Sequence, residues 1–194
     1  LREEDFMKKI YFILFLLALI FNPSQQAQAR GGGQDWLLDI DLSYLSYKSE
    51  ASTNGTTSSG ESSTTYYDIT LGYMLSSNLM VGGIYATKNY KDSSGATIST
   101  STSANALGAT LGYVFENGAY LNGTYFLSAT DDQYKKGSGF GLDLGWRTFT
   151  SGSFFIGGKL SYRSLKYTEN TTISGFESQT NTSTIPYLTF GFGF

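Results

Sequence analysis

Asp39, Asp41, Asp68, Lys88, Asp143, Arg147, Lys159 and Arg163 are the side chains best placed to do chemistry, because each is a charge inside a strand-like stretch. Asp39 and Asp41, two positions apart, have the form of an acid–base pair. The usual partners of such chemistry are missing. The chain has no His and no Cys, which removes Ser–His dyads, Cys nucleophiles, thiolate metal sites and disulfides together. With four acidic and four basic members, the set reads instead as a charge network, of the kind a narrow interior requires when it buries ionised groups. No catalytic residue, metal ligand or cofactor site is assigned, and the expectation is a protein that is not an enzyme.

The elements that must position these charges are strands. In Trp36, Leu38, Ile40, Leu42 and Tyr44 the apolar residues share one phase while Asp39, Asp41 and Ser43 take the other, and a period of two means a strand with two unlike faces. Seven further stretches alternate in the same way, centred on residues 67–75, 79–85, 107–115, 121–127, 140–146, 154–162 and 188–194. The connections support that count of eight. Short links at 76–78, 116–118 and 150–153 alternate with longer polar ones at 49–64, 91–104, 130–136 and 168–181, the asymmetry of an up-and-down barrel with short turns at one end. Segments 49–64 and 91–104, Ser/Thr-rich and almost free of apolar residues, are expected to be mobile polar loops.

Composition agrees with many short strands: 15 Tyr, 14 Phe and 23 Gly, but only 2 Pro and 15% charged residues. A net charge of −3 supplies no basic stripe, so no nucleic-acid partner is expected.

Residues 1–29 read as a cleavable signal peptide, with residues 1–6 as an upstream-extended start. Met7-Lys8-Lys9 is a basic n-region, Ile10 to Phe21 an unbroken apolar core, and Ala27-Gln28-Ala29 a small-x-small cleavage site. That core is too short to cross about 30 Å of hydrocarbon, which takes roughly 20 helical residues. Residues 30–34 are then a linker and residues 35–194 the barrel.

Which face is buried decides the environment. All eight charges lie on the minority phase, together with many Gly and Thr, and the majority phase is apolar and aromatic. A barrel facing lipid has this arrangement, because its exterior must be apolar and its lumen polar. The fold expected is therefore an all-β, eight-stranded antiparallel up-and-down transmembrane β-barrel. A hairpin of the sixth and seventh stretches would set Asp143 opposite Lys159, with Arg147 and Arg163 close by.

A short motif recurs at the strand ends leading to the turns: Gly72-Tyr73, Gly112-Tyr113, Gly145-Trp146 and Gly191-Phe192, each a lumen-phase Gly before an outward ring. Tyr73, Tyr113, Trp146 and Phe192 would form an aromatic girdle at the lower water boundary. The last strand places Leu188, Phe190, Phe192 and Phe194 in one phase; ahead of them Pro186, on the same outward phase, removes a ladder hydrogen bond, so full pairing is expected only from Tyr187 onward. This stretch resembles the C-terminal assembly signature of Gram-negative outer-membrane barrel proteins, and residues 35–194 resemble the small eight-stranded barrels of the OmpA or OmpX type. The resemblance implies a place in the bacterial outer membrane, reached by export through the periplasm, with outer-membrane lipids and the barrel-assembly machinery as partners. It implies little about activity, because these motifs encode folding and insertion. The function expected is a structural barrel with a lumen plugged by charge and polar outer segments able to meet an extracellular ligand. A narrow passive pore for small or apolar solutes is the alternative.

Overall fold

The computed structural model describes residues 35–194 apart from 54–55, 77, 95–97 and 152. The expected signal peptide and linker lie outside the described residues. Eight strands follow one another in chain order: β1 (Trp36–Thr53), β2 (Thr56–Met74), β3 (Leu79–Ser94), β4 (Ile98–Val114), β5 (Ala119–Asp131), β6 (Tyr134–Ser151), β7 (Phe154–Asn170) and β8 (Gln179–Gly193). Each pairs antiparallel with its neighbours and β8 returns to β1, so the sheet closes into a barrel and the ring itself leaves no free edge strand. Trp36 and Phe194 fasten the closure by exchanging two backbone hydrogen bonds of 2.9 Å.

The strands outrun their sequence signal at one end. Segments 49–64 and 91–104, expected to be loops, are hairpins whose ladders reach Thr53↔Thr56 and Ser94↔Ile98. The period-two pattern comes from the contrast between a lipid-facing and a lumen-facing side. Where both sides meet water that contrast vanishes, while Ser/Thr-rich chain, with Thr favouring extended backbone, goes on pairing. Segment 130–136 shrinks likewise to a tight β5–β6 link at 132–133. Among the described residues only the β7–β8 connection keeps a substantial loop, where Asn170 Oδ1 accepts from the amides of Thr172 (2.7 Å) and Ile173 (2.8 Å) and the chain turns at Gly175 with a positive φ of 77°.

At the other end the turns are short and bolted to the wall. Gly118 (φ 85°) sits with its Cα against the Arg147 carbonyl, the Arg147 amide donates to the Gly118 carbonyl at 2.9 Å, and Trp146 Nε1 donates to the Asn117 carbonyl at 3.0 Å. Trp36 lies 5.0 Å from Tyr73, ring to ring, and Phe154 5.2 Å from Phe192, so the rings at this rim are grouped in neighbouring pairs.

The recurring Gly before those rings has its own cause. The bore of an eight-stranded barrel is only wide enough for side chains to fill it. A Cβ on Gly72 would come within 2.5 Å of Met80 Sδ, one on Gly145 would strike the Tyr120 ring, and one on Gly191 the Phe155 ring. These Gly positions are the holes into which Met80, Tyr120 and Phe155 fit, and with Leu37, Met74 and Val114 they form an apolar layer at the turn end of the lumen. A second apolar layer, including Ile84, Ala106, Phe126 and Tyr167, sits toward the hairpin end.

The seam between β1 and β8 is short. Its ladder runs from Leu37↔Gly193 to Leu42↔Leu188 and stops. Because Phe194 exchanges hydrogen bonds with Trp36, residues 192, 190, 188 and 186 also aim their amides at β1. Position 186 is Pro, which has no N–H, so the bond that would extend the seam at Tyr44 cannot form.

Candidate functional site

The exterior and interior of the barrel are inverted relative to a water-soluble protein. Outward residues such as Leu111, Leu127, Phe140 and Leu188 are exposed, whereas Asp41, Asp68, Arg147 and Lys159 are buried inside the ring. Along β1 the outward positions from Trp36 to Tyr44 are all apolar or aromatic, and along β7 the outward positions Ile156, Gly158, Leu160 and Tyr162 carry no charge. A closed antiparallel ring with an uncharged apolar belt satisfies its backbone internally and meets hydrocarbon outside, as a membrane-spanning barrel must. This is the fold of an outer-membrane β-barrel.

No protein-family model matches the chain, and no curated protein matches it in sequence. Among solved structures, the outer membrane protein OprG from Pseudomonas aeruginosa aligns with 84% of this chain and 98% of its own length, at 12% identity and a TM-score of 0.44.

Between the two apolar layers lies the charge cluster. Lys159 Nζ is the hub: it is 2.6 Å from Asp41 Oδ2 and 3.6 Å from both Asp68 Oδ2 and Asp143 Oδ2. Arg163 grips Asp68 through both terminal nitrogens, Nη1 at 3.2 Å, and donates from Nε to Ser161 Oγ at 3.2 Å. Thr189 Oγ1 donates to the second oxygen of Asp41 at 2.6 Å. Rings close the remaining sides: the Tyr187 ring lies 4.9 Å from Lys159 Nζ and 5.4 Å from the Arg163 guanidinium, and Phe126 lies 5.6 Å from Arg163. Such cation–π contacts strengthen when water is excluded.

Nearer the turns, Arg147 stands 3.7 Å from Asp39 and between the faces of Tyr120 (5.3 Å) and Phe155 (5.2 Å). This pair is the less satisfied one. Asp39 Oδ1 and Arg147 Nε and Nη2 have no hydrogen-bond partner among the described residues, nor do the neighbouring layer's Tyr120 hydroxyl and Asn122 Oδ1.

Seven of the eight expected network residues therefore meet inside the ring, drawn from β1, β2, β6 and β7. The eighth does not. Lys88 is on the lumen phase but lies higher, exposed at the hairpin-end mouth, and it forms no ion pair among the described residues, so four carboxylates face three cations. The expected β6–β7 register is also corrected. Asp143 stands opposite Ser161, while Lys159 is opposite Gly145; the long lysine reaches Asp143 diagonally and makes its closest contact with Asp41, two strands away across β8.

The rings that wrap the charges were not legible as site residues, although a signal was present. Tyr120-Leu121, Tyr125-Phe126, Phe154-Phe155 and Tyr187-Leu188 are apolar doublets, and in a two-faced strand a doublet must send one member into the lumen. Of the outward rings, Tyr73, Tyr113 and Phe192 are exposed at the turn-end rim and Trp146 is half-buried there; Leu188 and Phe194 are exposed and Phe190 half-buried along the outer face of β8.

Above the plug the lumen opens into a cup of about 400 Å³ at the hairpin end. Arg163, Tyr66 and Ile185 lie at its base and Lys88, Asp131, Asn181 and Ser183 around it. Outside this mouth, Lys136 Nζ pairs with Glu169 at 2.9 Å, holding the exposed Glu169 carboxyl below the usual carboxylate range.

Proposed function

We propose that this protein is a closed outer-membrane barrel that acts structurally and through its outer surface, and that does not conduct solutes. The observation that carries the reading is the plug: Asp41, Asp68, Asp143, Lys159 and Arg163 are all buried and mutually paired across the bore. A conducting pore would need these charges to stand back from the axis and face water. Outer-membrane lipids surround the belt and the barrel-assembly machinery inserts the chain. The hairpin end faces outside, by the asymmetry of short turns and long connections. The absence of His and Cys supports a non-enzymatic role.

Planar-bilayer recording from the purified, refolded protein tests this. The expected record is flat, with no reproducible unitary step. A stable single-channel conductance from the wild-type barrel would refute the closed reading and establish the narrow-pore alternative.

A further inference from the structure

The cup at the hairpin end has a closed floor and a distinct chemistry. Arg163 lies at its base with Nε and both terminal nitrogens already engaged by Ser161 and Asp68, so a solute entering from outside stops there. Lys88, the lumen-phase cation left out of the plug, is exposed in this space and free of any ion pair among the described residues. Asp131 lines the same cup, also without an ion-pair partner among the described residues. The neutral polar side chains on the lumen phase of this cup are Asn181 and Ser183 of β8. Tyr66 and Ile185 supply an apolar patch.

We propose that this cup binds a small anionic sugar, a ring of monosaccharide to disaccharide size carrying one carboxylate or phosphate. The volume suits it, since about 400 Å³ lies at the lower end of ligand-pocket sizes. Lys88 takes the anion as a charge-assisted donor. Asp131 accepts from ring hydroxyls, as an ionised carboxylate with two acceptor oxygens can from neighbouring donors. The neutral rim answers the other hydroxyls, and the Tyr66 and Ile185 surface takes the C–H face of the ring. A bare anion would gain Lys88 but meet Asp131 unfavourably; a neutral sugar would gain Asp131 but leave Lys88 unanswered. A molecule with both parts answers both groups.

The site rests on the closed-floor reading, and the two can fail separately. D-glucuronate, glucose 6-phosphate, glucose, acetate and inorganic phosphate are titrated into the folded full barrel in detergent micelles, followed by NMR shifts and calorimetry. The expected result is saturable binding of one or both anionic sugars with Kd of about 0.1–10 mM, weaker binding of glucose, and none of acetate or phosphate alone in that range. The preferred anion then shows whether the natural ligand is a sugar acid or a sugar phosphate. Lys88→Gln weakens the anionic sugar about tenfold and leaves glucose unchanged, the loss expected for one charge-assisted contact. Ser183→Trp, which fills the cup from its rim, abolishes binding of all sugars in a barrel that still shows heat-modifiable migration. No saturation by any sugar, acetate or phosphate binding as tight as the sugars, or indifference to Lys88→Gln would overturn the proposal. A non-conducting barrel that ignores sugars refutes the ligand alone; a conducting barrel refutes the closed floor.

Discussion

Lys159 is the residue whose surroundings matter most to the plug. It serves three carboxylates at once, and its best contact, Asp41 at 2.6 Å, is itself held by Thr189. Asp41→Ala leaves a buried ammonium with two contacts at 3.6 Å, and the expected loss is about 3–5 kcal/mol, the cost of removing one partner of a buried pair. Urea unfolding in micelles or vesicles, followed by Trp fluorescence, measures it. Asp39→Asn costs less, because Asp39 meets Arg147 only at 3.7 Å and one of its oxygens has no partner to lose; equal losses for the two variants would contradict the ranking. Gly145→Ala drives a methyl into the Tyr120 ring and is expected to cost about 1–3 kcal/mol, as overpacking does. Adding Tyr120→Leu to Gly145→Ala should recover most of that loss, which separates crowding from any effect of Gly on strand propensity. At the surface, Lys136→Gln should raise the Glu169 carboxyl toward the ordinary range. Because the folded-state value is depressed, this small contribution is present above the unfolded carboxylate range and disappears as pH falls through the folded value, so NMR titration of Glu169 is the direct readout.

Among the elements, β8 differs most from its neighbours. It pairs with β7 from Phe154↔Phe192 to Tyr167↔Gln179 but with β1 only as far as Leu42↔Leu188. Pro186 sits where the next β8 donor toward β1 is needed. Pro186→Ala restores that donor, and the new amide at position 186 is expected to become protected in hydrogen–deuterium exchange, with a stability gain of about 0.5–1.5 kcal/mol for one added ladder bond. Rapid exchange of that amide would show that something other than the missing N–H ends the seam. The hairpins beyond the belt are the other finding at this scale. Their ladders require protected amides in segments 89–92 and 100–103, where free loops would exchange at once.

For the molecule as a whole, sidedness follows from the plug and the hairpins together. Amine-reactive biotin applied to intact cells should modify Lys91, Lys135 and Lys136, whereas Lys159, 7% exposed within the ring, should react only after denaturation. Labelling of Lys159 at the rate of Lys91 would mean an open lumen. The sequence by itself determined the strand number, the antiparallel order and the lipid-facing phase, because each is written in local alternation: one residue reports on one side of the wall, and lipid outside with crowded polar space inside makes the contrast strong. It also marked the inward charges and the proline that shortens the seam. Which charge meets which was decided only by the closed ring. Asp41 and Lys159 are 118 positions apart, and their meeting depends on register summed around the barrel and on the reach of a lysine across β8. The same sum raised Lys88 out of the plug and into the cup. Nor did alternation reveal the hairpins, since a strand with water on both faces leaves no period to read.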